Sequence, residues 1–246
     1  SRTEGDALRP IDSFRERLLA RIQDVPKEDL RLLVVIAGHN GAGKTTIYRE
    51  RIADALSGFL DHHINPDEIE LEIVQDLGAG TRTKDEFSRL AAAEATRLRR
   101  QLLDQERNFS FETVFSDPKQ EKANFMAEAH RRGYLVVLFA VGLESVEKSK
   151  ERVAIRHAKG GHDVPADRLE SRYPRVLENF AHGARVASLA LFMDNSEDRT
   201  GDTEDTYWDF AFFEEGRLVT SDEYPPDWWN EVLRQISSID LAKRNT

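Results

Sequence analysis

The segment from Gly38 to Thr45, with the sequence GHNGAGKT, has the residue types and spacing of a loop that holds nucleotide phosphates. Its glycines let successive backbone N–H groups turn inward, its lysine adds a cation at the β- and γ-phosphates, and its threonine offers a hydroxyl to Mg²⁺. An apolar run precedes the loop and a helical pattern follows it, as this type of site requires. The predicted nucleotide and Mg²⁺ contacts are Gly38, Asn40, Gly41, Ala42, Gly43, Lys44, Thr45 and Thr46, with Thr45 on the metal.

A carboxylate follows the second predicted strand, in the segment Asn65-Pro66-Asp67-Glu68. In open parallel sheets, ligands bind beyond the carboxyl ends of the strands, so Asp67 lies where a substrate is expected. One interpretation is that Asp67 accepts the proton of a hydroxyl that attacks the γ-phosphate. The alternative is that it only stabilises the N-terminus of the helix that begins there.

A second carboxylate ends the third predicted strand, in the segment SFETV at 110–114. Side chains alternate along a strand, so Glu112 and Phe111 face opposite sides of the sheet. Because an acidic residue in an apolar strand needs a partner, Glu112 either binds substrate hydroxyls or the Mg²⁺ shell, or belongs to a structural ion pair.

Basic residues at helical spacing flank the segment GGHDVP at 160–165. The two sets are Arg152, Arg156 and Lys159 before it and Arg168, Arg172 and Arg175 after it. Each set lines one helix face. One interpretation is a lid whose arginines neutralise the charge of ATP phosphates during transfer. The alternative is a solvated surface on which the arginines pair with Glu151, Asp167 and Glu170.

The histidines give no independent sign of a metal site. His62 and His63 alternate across a strand and cannot both face one ion, which argues against zinc. His162 lies in the glycine-containing segment between the two basic sets, and we interpret it as a turn residue rather than a substrate contact.

The composition limits the class of protein. A chain of 246 residues suits one α/β domain with additions. Its 45 acidic and 35 basic residues give a formal charge of −10, which disfavours nucleic acid and anionic membranes as partners. The absence of cysteine excludes disulfides and thiolate metal sites, and no apolar run approaches the roughly 20 residues that span a bilayer. No signal peptide is visible, so we expect a cytoplasmic protein.

The elements that must position these residues alternate between apolar strands and amphipathic helices, which predicts a parallel sheet covered on both faces. The predicted strands are Leu32–Ala37, His62–Asn65, Phe109–Val114, Tyr134–Val141 and Leu189–Met193. The predicted helices include Pro66–Leu77, Lys84–Glu106, Pro118–Arg132, Ser145–Lys159 and Ala166–Phe180. The predicted fold is a three-layer α/β/α structure with a five-stranded, mostly parallel sheet.

Three segments are predicted along the chain. Residues 1–29 form an N-terminal helical extension, and residues 30–196 form the α/β domain. Residues 197–246 form an appendage packed on the same domain, made of a β-hairpin around Glu215-Gly216 and a last helix that begins with Trp228-Trp229. The acidic stretch Ser196–Thr206 is predicted to be a surface loop.

Together, these motifs resemble the zeta-toxin-like kinases, a family of phosphate-loop kinases. The matching segments are GHNGAGKTT at 38–46, INPDEI at 64–69, FETVFS at 111–116, RHAKGGHDVPADRLESRYPRVLENF at 156–180 and MDNS at 193–196. The resemblance covers residues 32–196, and GGHDVP followed by an arginine-rich helix is its most specific part. It implies a kinase-type fold and a toxin-like enzyme that transfers the γ-phosphate of ATP to a hydroxyl of a sugar nucleotide, UDP-N-acetylglucosamine in the best-known members.

The resemblance also implies roles for individual residues. Asp67 matches the catalytic base, Lys44 and Thr45 match the phosphate and Mg²⁺ ligands, and Arg156 matches a phosphate-binding arginine. The predicted catalytic residues are Asp67, Lys44, Arg156 and Arg172, with Arg175 as a further nucleotide contact. The predicted substrate contacts are Asn65, Asp67, Glu112 and Thr113. Family members often meet an antitoxin that blocks the nucleotide site, which implies a protein partner as well.

Other functions remain alternatives at this point. The same chemistry could act on a dinucleotide, an antibiotic or a nucleic-acid end, and the acidic balance disfavours the last of these. A different class is an ATP-binding interaction protein without an acceptor, which needs neither Asp67 nor an arginine lid. A GTPase is disfavoured because the chain has no Asn-Lys-x-Asp motif.

Overall fold

The computed structural model describes residues 9–159, 164–198 and 207–244 of the chain. The strands are β1 Leu32–Gly38, β2 His62–Ile64, β3 Phe109–Thr113, β4 Leu135–Gly142, β5 Leu189–Asp194, β6 Trp208–Glu214 and β7 Arg217–Ser221. The helices are α1 Pro10–Ile22, α2 Lys44–Ile47, α3 Ala53–Leu56, α4 Pro66–Leu77, α5 Lys84–Asp104, α6 Glu121–Arg131, α7 Val146–Ala158, α8 Ala166–Val186 and α9 Trp229–Arg244. A π-helical turn, Tyr48–Ile52, joins α2 to α3.

The strands form one sheet in the order β2-β3-β1-β4-β5-β6-β7. Strands β2, β3, β1, β4 and β5 are parallel to one another. They occur where the apolar runs predicted them, and β1 is buried along its whole length. The parallel arrangement brings the carboxyl ends of these strands to one edge of the sheet. The phosphate loop follows β1 at that edge.

The prediction of a five-stranded sheet is wrong, because the C-terminal hairpin extends the sheet to seven strands. Strand β6 pairs antiparallel with β5, and β7 pairs with β6. The run from Phe210 to Phe213 is buried on both faces, which an isolated hairpin on a surface does not allow. By pairing with β5, the hairpin also covers a strand edge that would otherwise expose unpaired backbone groups.

Helices from both ends of the chain pack on opposite faces of this sheet. On one face, the Phe14 ring of α1 lies 5.3 Å from Phe139 and 5.8 Å from Phe212, in edge-on contacts. On the other face, the Trp229 ring of α9 lies 4.7 Å from Phe192. Both helices therefore contribute to the hydrophobic core, which gives the three-layer architecture that the strand and helix pattern predicts.

Local capping explains where the helices near the sheet edge begin. Asn65 caps α4 by accepting from the Asp67 backbone N–H at 3.0 Å, and Pro66 occupies the first turn, where its missing N–H costs nothing. Thr83 and Glu86 form a reciprocal capping box at the start of α5. The cap of α4 holds Asp67 in the first turn of that helix.

Two predicted features lie partly or wholly outside the described residues. They are the turn that contains His162, at 160–163, and most of the acidic loop Ser196–Thr206, at 199–206. Within the described ranges, none of the helices has the length and apolar content needed to cross a membrane.

Candidate active site

The phosphate loop folds back between β1 and α2 through two left-handed glycines. Gly41 has φ 79° and Gly43 has φ 87°, conformations that residues with a Cβ rarely adopt. The Lys44 ammonium turns back over the loop and donates to the carbonyls of Gly38 and His39, each at 3.0 Å. The loop is thus closed around its own lysine, with α2 beginning at the same residue.

Side chains from three distant segments hold the outward-facing carbonyls of this loop. Ser149 donates its hydroxyl to Asn40 O at 2.7 Å, Asn195 its amide to Ala42 O at 2.9 Å, and Tyr207 its hydroxyl to Gly43 O at 2.7 Å. Because these carbonyls are engaged from outside, the opposite, N–H side of the loop is left for an anion. Sequence reasoning missed these three residues, although Asn195 directly follows β5 at the ligand-binding edge.

Removing the Tyr207 hydroxyl should loosen the loop without changing its sequence. We expect Tyr207→Phe to weaken ATP binding by roughly three- to tenfold, because a neutral hydrogen bond contributes about 1 kcal/mol and holds a ligand-binding segment in place. Isothermal titration with Mg·ATP measures this change. The matched control is Tyr224→Phe, since Tyr224 is 79% exposed. Equal affinities for the two variants would contradict a supporting role for Tyr207.

Glu112 lies at the centre of a buried polar cluster at the end of β3. Its Oε2 accepts from the Thr45 hydroxyl at 2.7 Å. Its Oε1 lies 3.3 Å from both the Asn65 amide nitrogen and His63 Nε2. The His63 ring stacks on Tyr48 at 3.5 Å, which fixes its orientation. The carboxylate is therefore held beside the threonine that the sequence assigns to Mg²⁺.

The donor set at this point suits a hard divalent cation. Two oxygen atoms, Thr45 Oγ1 and Glu112 Oε2, lie together at the start of α2, where phosphates are expected. Mg²⁺ in nucleotide sites is commonly held by one or two protein oxygens together with phosphates and water. The described residues contain no group of three or more His, Cys, Asp or Glu that could hold a metal ion.

Asp67 and Arg156 face each other across the mouth of the site. Arg156 Nη1, on α7, lies 3.6 Å from Asp67 Oδ2, on α4. This separation is longer than an ordinary hydrogen bond, and the Asp67 side chain is 59% exposed, so its carboxylate is accessible to a ligand. The structure thus brings together two residues that lie 89 positions apart in the sequence.

The other basic residues of the two helices have different neighbours. Arg172 Nη1 reaches Asn40 Oδ1 in the phosphate loop at 3.4 Å. Arg168 pairs with Asp85 at 3.0 Å, and Arg152 with Asp198 at 3.0 Å. Glu151 and Glu170 accept from Lys148 and Lys150 instead of from arginines. Arg156 and Arg172 are therefore the members of the two sets whose guanidinium groups reach Asp67 and the loop, whereas Arg152 packs its Cβ against Gly41 and turns its guanidinium to Asp198.

Arg175 and Lys159 make no hydrogen bond or ion pair with Asp67 or the phosphate loop within the described residues. Arg175 is half-buried on α8, and its Nε atom has no hydrogen-bond partner among the described residues. Lys159 is exposed after the end of α7. Thr46, which follows Thr45 in α2, is half-buried.

A cavity of about 360 Å³ opens between these groups and the helical pair α4–α5. Its wall includes Asn40, Asp67, Glu112, Thr113, Arg156 and Arg172. On the α5 side the wall carries Ala91, Ala92 and Ala95, whose small side chains leave the space open. The cavity lies next to the phosphate loop, so a molecule bound in it would be close to a nucleotide held there.

Burial shifts the pKa values of two residues in the phosphate loop, Lys44 and His39. Burial lowers the pKa of Lys44 to about 8, while Glu112 and Asp67 act in the opposite direction and Arg156 and Arg172 add to the lowering. Burial also lowers the pKa of His39 to about 3, so this ring stays neutral and stacks on Tyr173 at 4.3 Å. The positive charge available to phosphates therefore comes from Lys44 and the arginines.

Two solved structures of the AvrRxo1-ORF1 and -ORF2 complex share the fold of this chain. The native complex of AvrRxo1-ORF1 and -ORF2 has a TM-score of 0.60 and 15% identity, with 95% of this chain and 75% of that chain covered. The complex solved with ATP has a TM-score of 0.57 and 15% identity, with 92% and 70% covered. The PezAT toxin-antitoxin structure of Streptococcus pneumoniae has a TM-score of 0.48 and 15% identity, with 96% and 88% covered.

Sequence comparisons give the family. No curated protein matches the chain. The profile that describes the zeta toxin family matches residues 15–201, which include the phosphate loop, Asp67, Glu112 and the Arg156-bearing helix. Since this match spans most of the 246 residues, the chain belongs to the zeta toxin family.

Proposed function

We propose that this protein is a kinase that transfers the γ-phosphate of ATP to a hydroxyl group of a small molecule. The observation that carries the proposal is the position of Asp67. Its accessible carboxylate lines the cavity beside the phosphate loop and faces Arg156 at 3.6 Å. A protein that only binds and releases ATP needs no cavity next to its phosphate loop with a carboxylate at the mouth.

The phosphate loop, Lys44 and the start of α2 form the donor half of the site in this proposal. Backbone N–H groups and the helix N-terminus attract the phosphates, and Lys44 exchanges its loop carbonyls for phosphate oxygens. The ATP-containing AvrRxo1-ORF1:-ORF2 complex shares this fold and supports ATP as the donor. Residues 30–196 carry the catalytic unit, while Tyr207 holds the loop from the C-terminal segment.

Asp67 acts as the general base for the acceptor. Its carboxylate takes the hydroxyl proton while the hydroxyl oxygen forms a bond to the γ-phosphorus, and the bond from that phosphorus to the β–γ bridging oxygen breaks to release ADP. Arg156 and Arg172 flank the path and stabilise the charge that develops on the transferred group. When bound at Thr45 and Glu112, Mg²⁺ would neutralise phosphate charge.

For the acceptor we propose a sugar nucleotide of the UDP-N-acetylglucosamine type, held between Asp67 and Glu112. The resemblance of the site motifs to zeta-toxin-like kinases supports this choice, and a cytoplasmic location would supply both substrates. Asn65 and Thr113 lie at the same strand ends and are the further proposed contacts. A protein antitoxin that covers the nucleotide site is the proposed partner, supported by family membership.

Mass detection of a transferred phosphate tests the function directly. The protein is incubated with Mg·ATP and a panel of sugar nucleotides, dinucleotides, free sugars and aminoglycosides, and each acceptor is searched for an added phosphate. We expect a phosphomonoester on at least one sugar nucleotide. Phosphate found only on a dinucleotide or an aminoglycoside would support kinase activity but contradict the sugar nucleotide as the acceptor. ATP converted only to ADP, with no labelled acceptor, would reject the kinase.

A further inference from the structure

The acceptor cavity is cationic, although the protein as a whole is acidic. Six cationic and four acidic side chains line it among the described residues, whereas the chain carries a formal charge of −10. Two of the cations already face carboxylates, since Arg156 lies beside Asp67 and Arg168 pairs with Asp85. Arg172 reaches toward the phosphate loop. Lys122 pairs with Asp117, and the buried cation of this lining for which the described residues offer no carboxylate is Arg99.

Arg99 is a buried arginine whose guanidinium faces the cavity. It is 7% exposed, and its guanidinium carbon lies 5.0 Å from the centre of the Phe111 ring. Its Nη2 donates to Thr96 Oγ1 at 2.8 Å. A guanidinium has five N–H donors, and within the described residues this is the one hydrogen bond that Arg99 makes. Its remaining donors are available to a molecule in the cavity.

A structural ion pair does not account for this residue. In the part of the chain that the structure describes, no carboxylate lies within ion-pair distance of Arg99. The acidic residue that acts on the pKa of Arg99 is Asp117, and its carboxylate already pairs with Lys122 at 3.2 Å. Burial lowers the pKa of Arg99 to about 10, so it still carries its charge near neutral pH. A buried charge without a partner is costly unless a ligand supplies one.

The position of Arg99 along α5 sets its distance from the reacting end of the cavity. Ser88 lies at the other end of the same helix face and donates to Glu70, one turn beyond Asp67 on α4. Ser88 and Arg99 are eleven residues apart, which corresponds to about 16 Å of helix. Arg99 and Asp67 both line this cavity, and no hydrogen bond or ion pair joins them among the described residues.

We propose that Arg99 forms an anion subsite that selects acceptors carrying a phosphate group at a distance from the hydroxyl to be phosphorylated. This inference rests on the proposed kinase function and assigns the residue that holds the phosphate of its acceptor. A guanidinium with several free donors suits the oxygens of a phosphate ester or diphosphate. A polycationic acceptor such as an aminoglycoside would place ammonium groups against Arg99, and the same charge disfavours it.

Steady-state kinetics of an Arg99 variant tests the subsite. For a phosphorylated sugar nucleotide, we expect Arg99→Gln to raise KM roughly 10- to 100-fold, with the KM for ATP unchanged, because one charge-assisted contact to the acceptor is lost. Arg99→Lys should recover part of this loss. The matched control is Arg97→Gln, since Arg97 lies on the outer side of the same helix and pairs with Glu94. An unchanged acceptor KM in Arg99→Gln would overturn the subsite.

A binding measurement separates this proposal from the kinase itself. The protein is loaded with Mg²⁺ and a non-hydrolysable ATP analogue, so that the phosphate loop is occupied, and is then titrated with UDP-N-acetylglucosamine and with N-acetylglucosamine. We expect binding of the first compound alone, and its loss in Arg99→Gln but not in Arg97→Gln. This result would support the subsite even if no phosphate were transferred. Equal binding of the charged and uncharged sugars would overturn the Arg99 subsite. The kinase proposal would not be affected, because the phosphate-transfer assay tests it separately.

Discussion

Replacement of Asp67 by asparagine is expected to lower the rate of phosphate transfer by roughly 10²- to 10⁴-fold, while ATP affinity stays close to that of the unaltered protein. Asparagine keeps the size of the side chain but cannot accept a proton at neutral pH. In the proposed mechanism the contacts that hold the donor phosphates come from the loop, Lys44 and α2, and the Asp67 carboxylate makes none of them. Single-turnover transfer and equilibrium binding of Mg·ATP measure the two quantities separately.

The control for this change is Glu68→Gln on the next residue of the same helix. Glu68 is also acidic, also in the first turn of α4, and 51% exposed in an ion pair with Arg49. If Asp67 merely stabilises the helix N-terminus, both variants should lose about 0.3 to 1 kcal/mol of folding free energy and both should keep transfer. Loss of transfer in Asp67→Asn alone assigns catalysis to this carboxylate. Full transfer by Asp67→Asn would refute the assignment.

The sequence was most informative where local rules decide the structure. The bounds of α4, Pro66–Leu77, are confirmed because Asn65 and Pro66 define its start and Gly78 follows its end. Helix α8 is longer than predicted and continues to Val186. Gly183, which would normally weaken a helix, lies against the sheet, where a Cβ would approach Leu138 Cδ2 to 2.8 Å. Close packing rather than helix propensity explains that glycine.

Residues that act across long sequence distances were harder to predict. The loop, Asp67 and Glu112 could be predicted as candidates because each lies at or just after the carboxyl end of a strand in a parallel sheet. Tyr207 could not, since its contact with Gly43 depends on the C-terminal hairpin joining the sheet beside β5. Arg99 is one of several arginines on a long amphipathic helix, and only the packing of α5 shows that it is buried.

Replacement of Lys44 by methionine is expected to lower phosphate transfer by roughly 10²- to 10³-fold and to weaken ATP binding as well. In the proposed mechanism Lys44, unlike Asp67, contacts the donor in both the ground state and the transition state. Methionine keeps an apolar stem of similar length but removes the charge. The matched control is Lys27→Met, because Lys27 is exposed in the segment between α1 and β1. Wild-type ATP affinity in Lys44→Met would contradict the role of Lys44 in phosphate binding.

Although Lys44→Met should lower activity, we expect it to raise the stability of the folded protein when no nucleotide is bound. Burial lowers the pKa of Lys44 from 10.5 to about 8 in the folded protein, so below pH 8 the fold carries the full cost of a desolvated ammonium. Between pH 8 and 10.5 the unfolded chain binds more protons than the folded protein, and stability therefore rises with pH in this window. At pH 7 without nucleotide, Lys44→Met should be more stable than the unaltered protein by the part of this cost that exceeds the two lost hydrogen bonds to Gly38 and His39, about 1 kcal/mol, measured by urea unfolding.

Nucleotide binding should remove the cost of desolvating the Lys44 ammonium. The protein should therefore take up protons when it binds ATP. Phosphate oxygens favour the charged ammonium, so the pKa of Lys44 rises when ATP binds, and ATP affinity must fall as the pH increases above about 8. Titration calorimetry at pH 8.5 in buffers of different ionisation heat should show proton uptake in the unaltered protein and in Lys27→Met, but much less in Lys44→Met. Both the stability gain and the lost proton uptake follow from one buried ammonium. A Lys44→Met variant that showed neither effect would indicate that the Lys44 ammonium is solvated by water rather than buried in the phosphate loop.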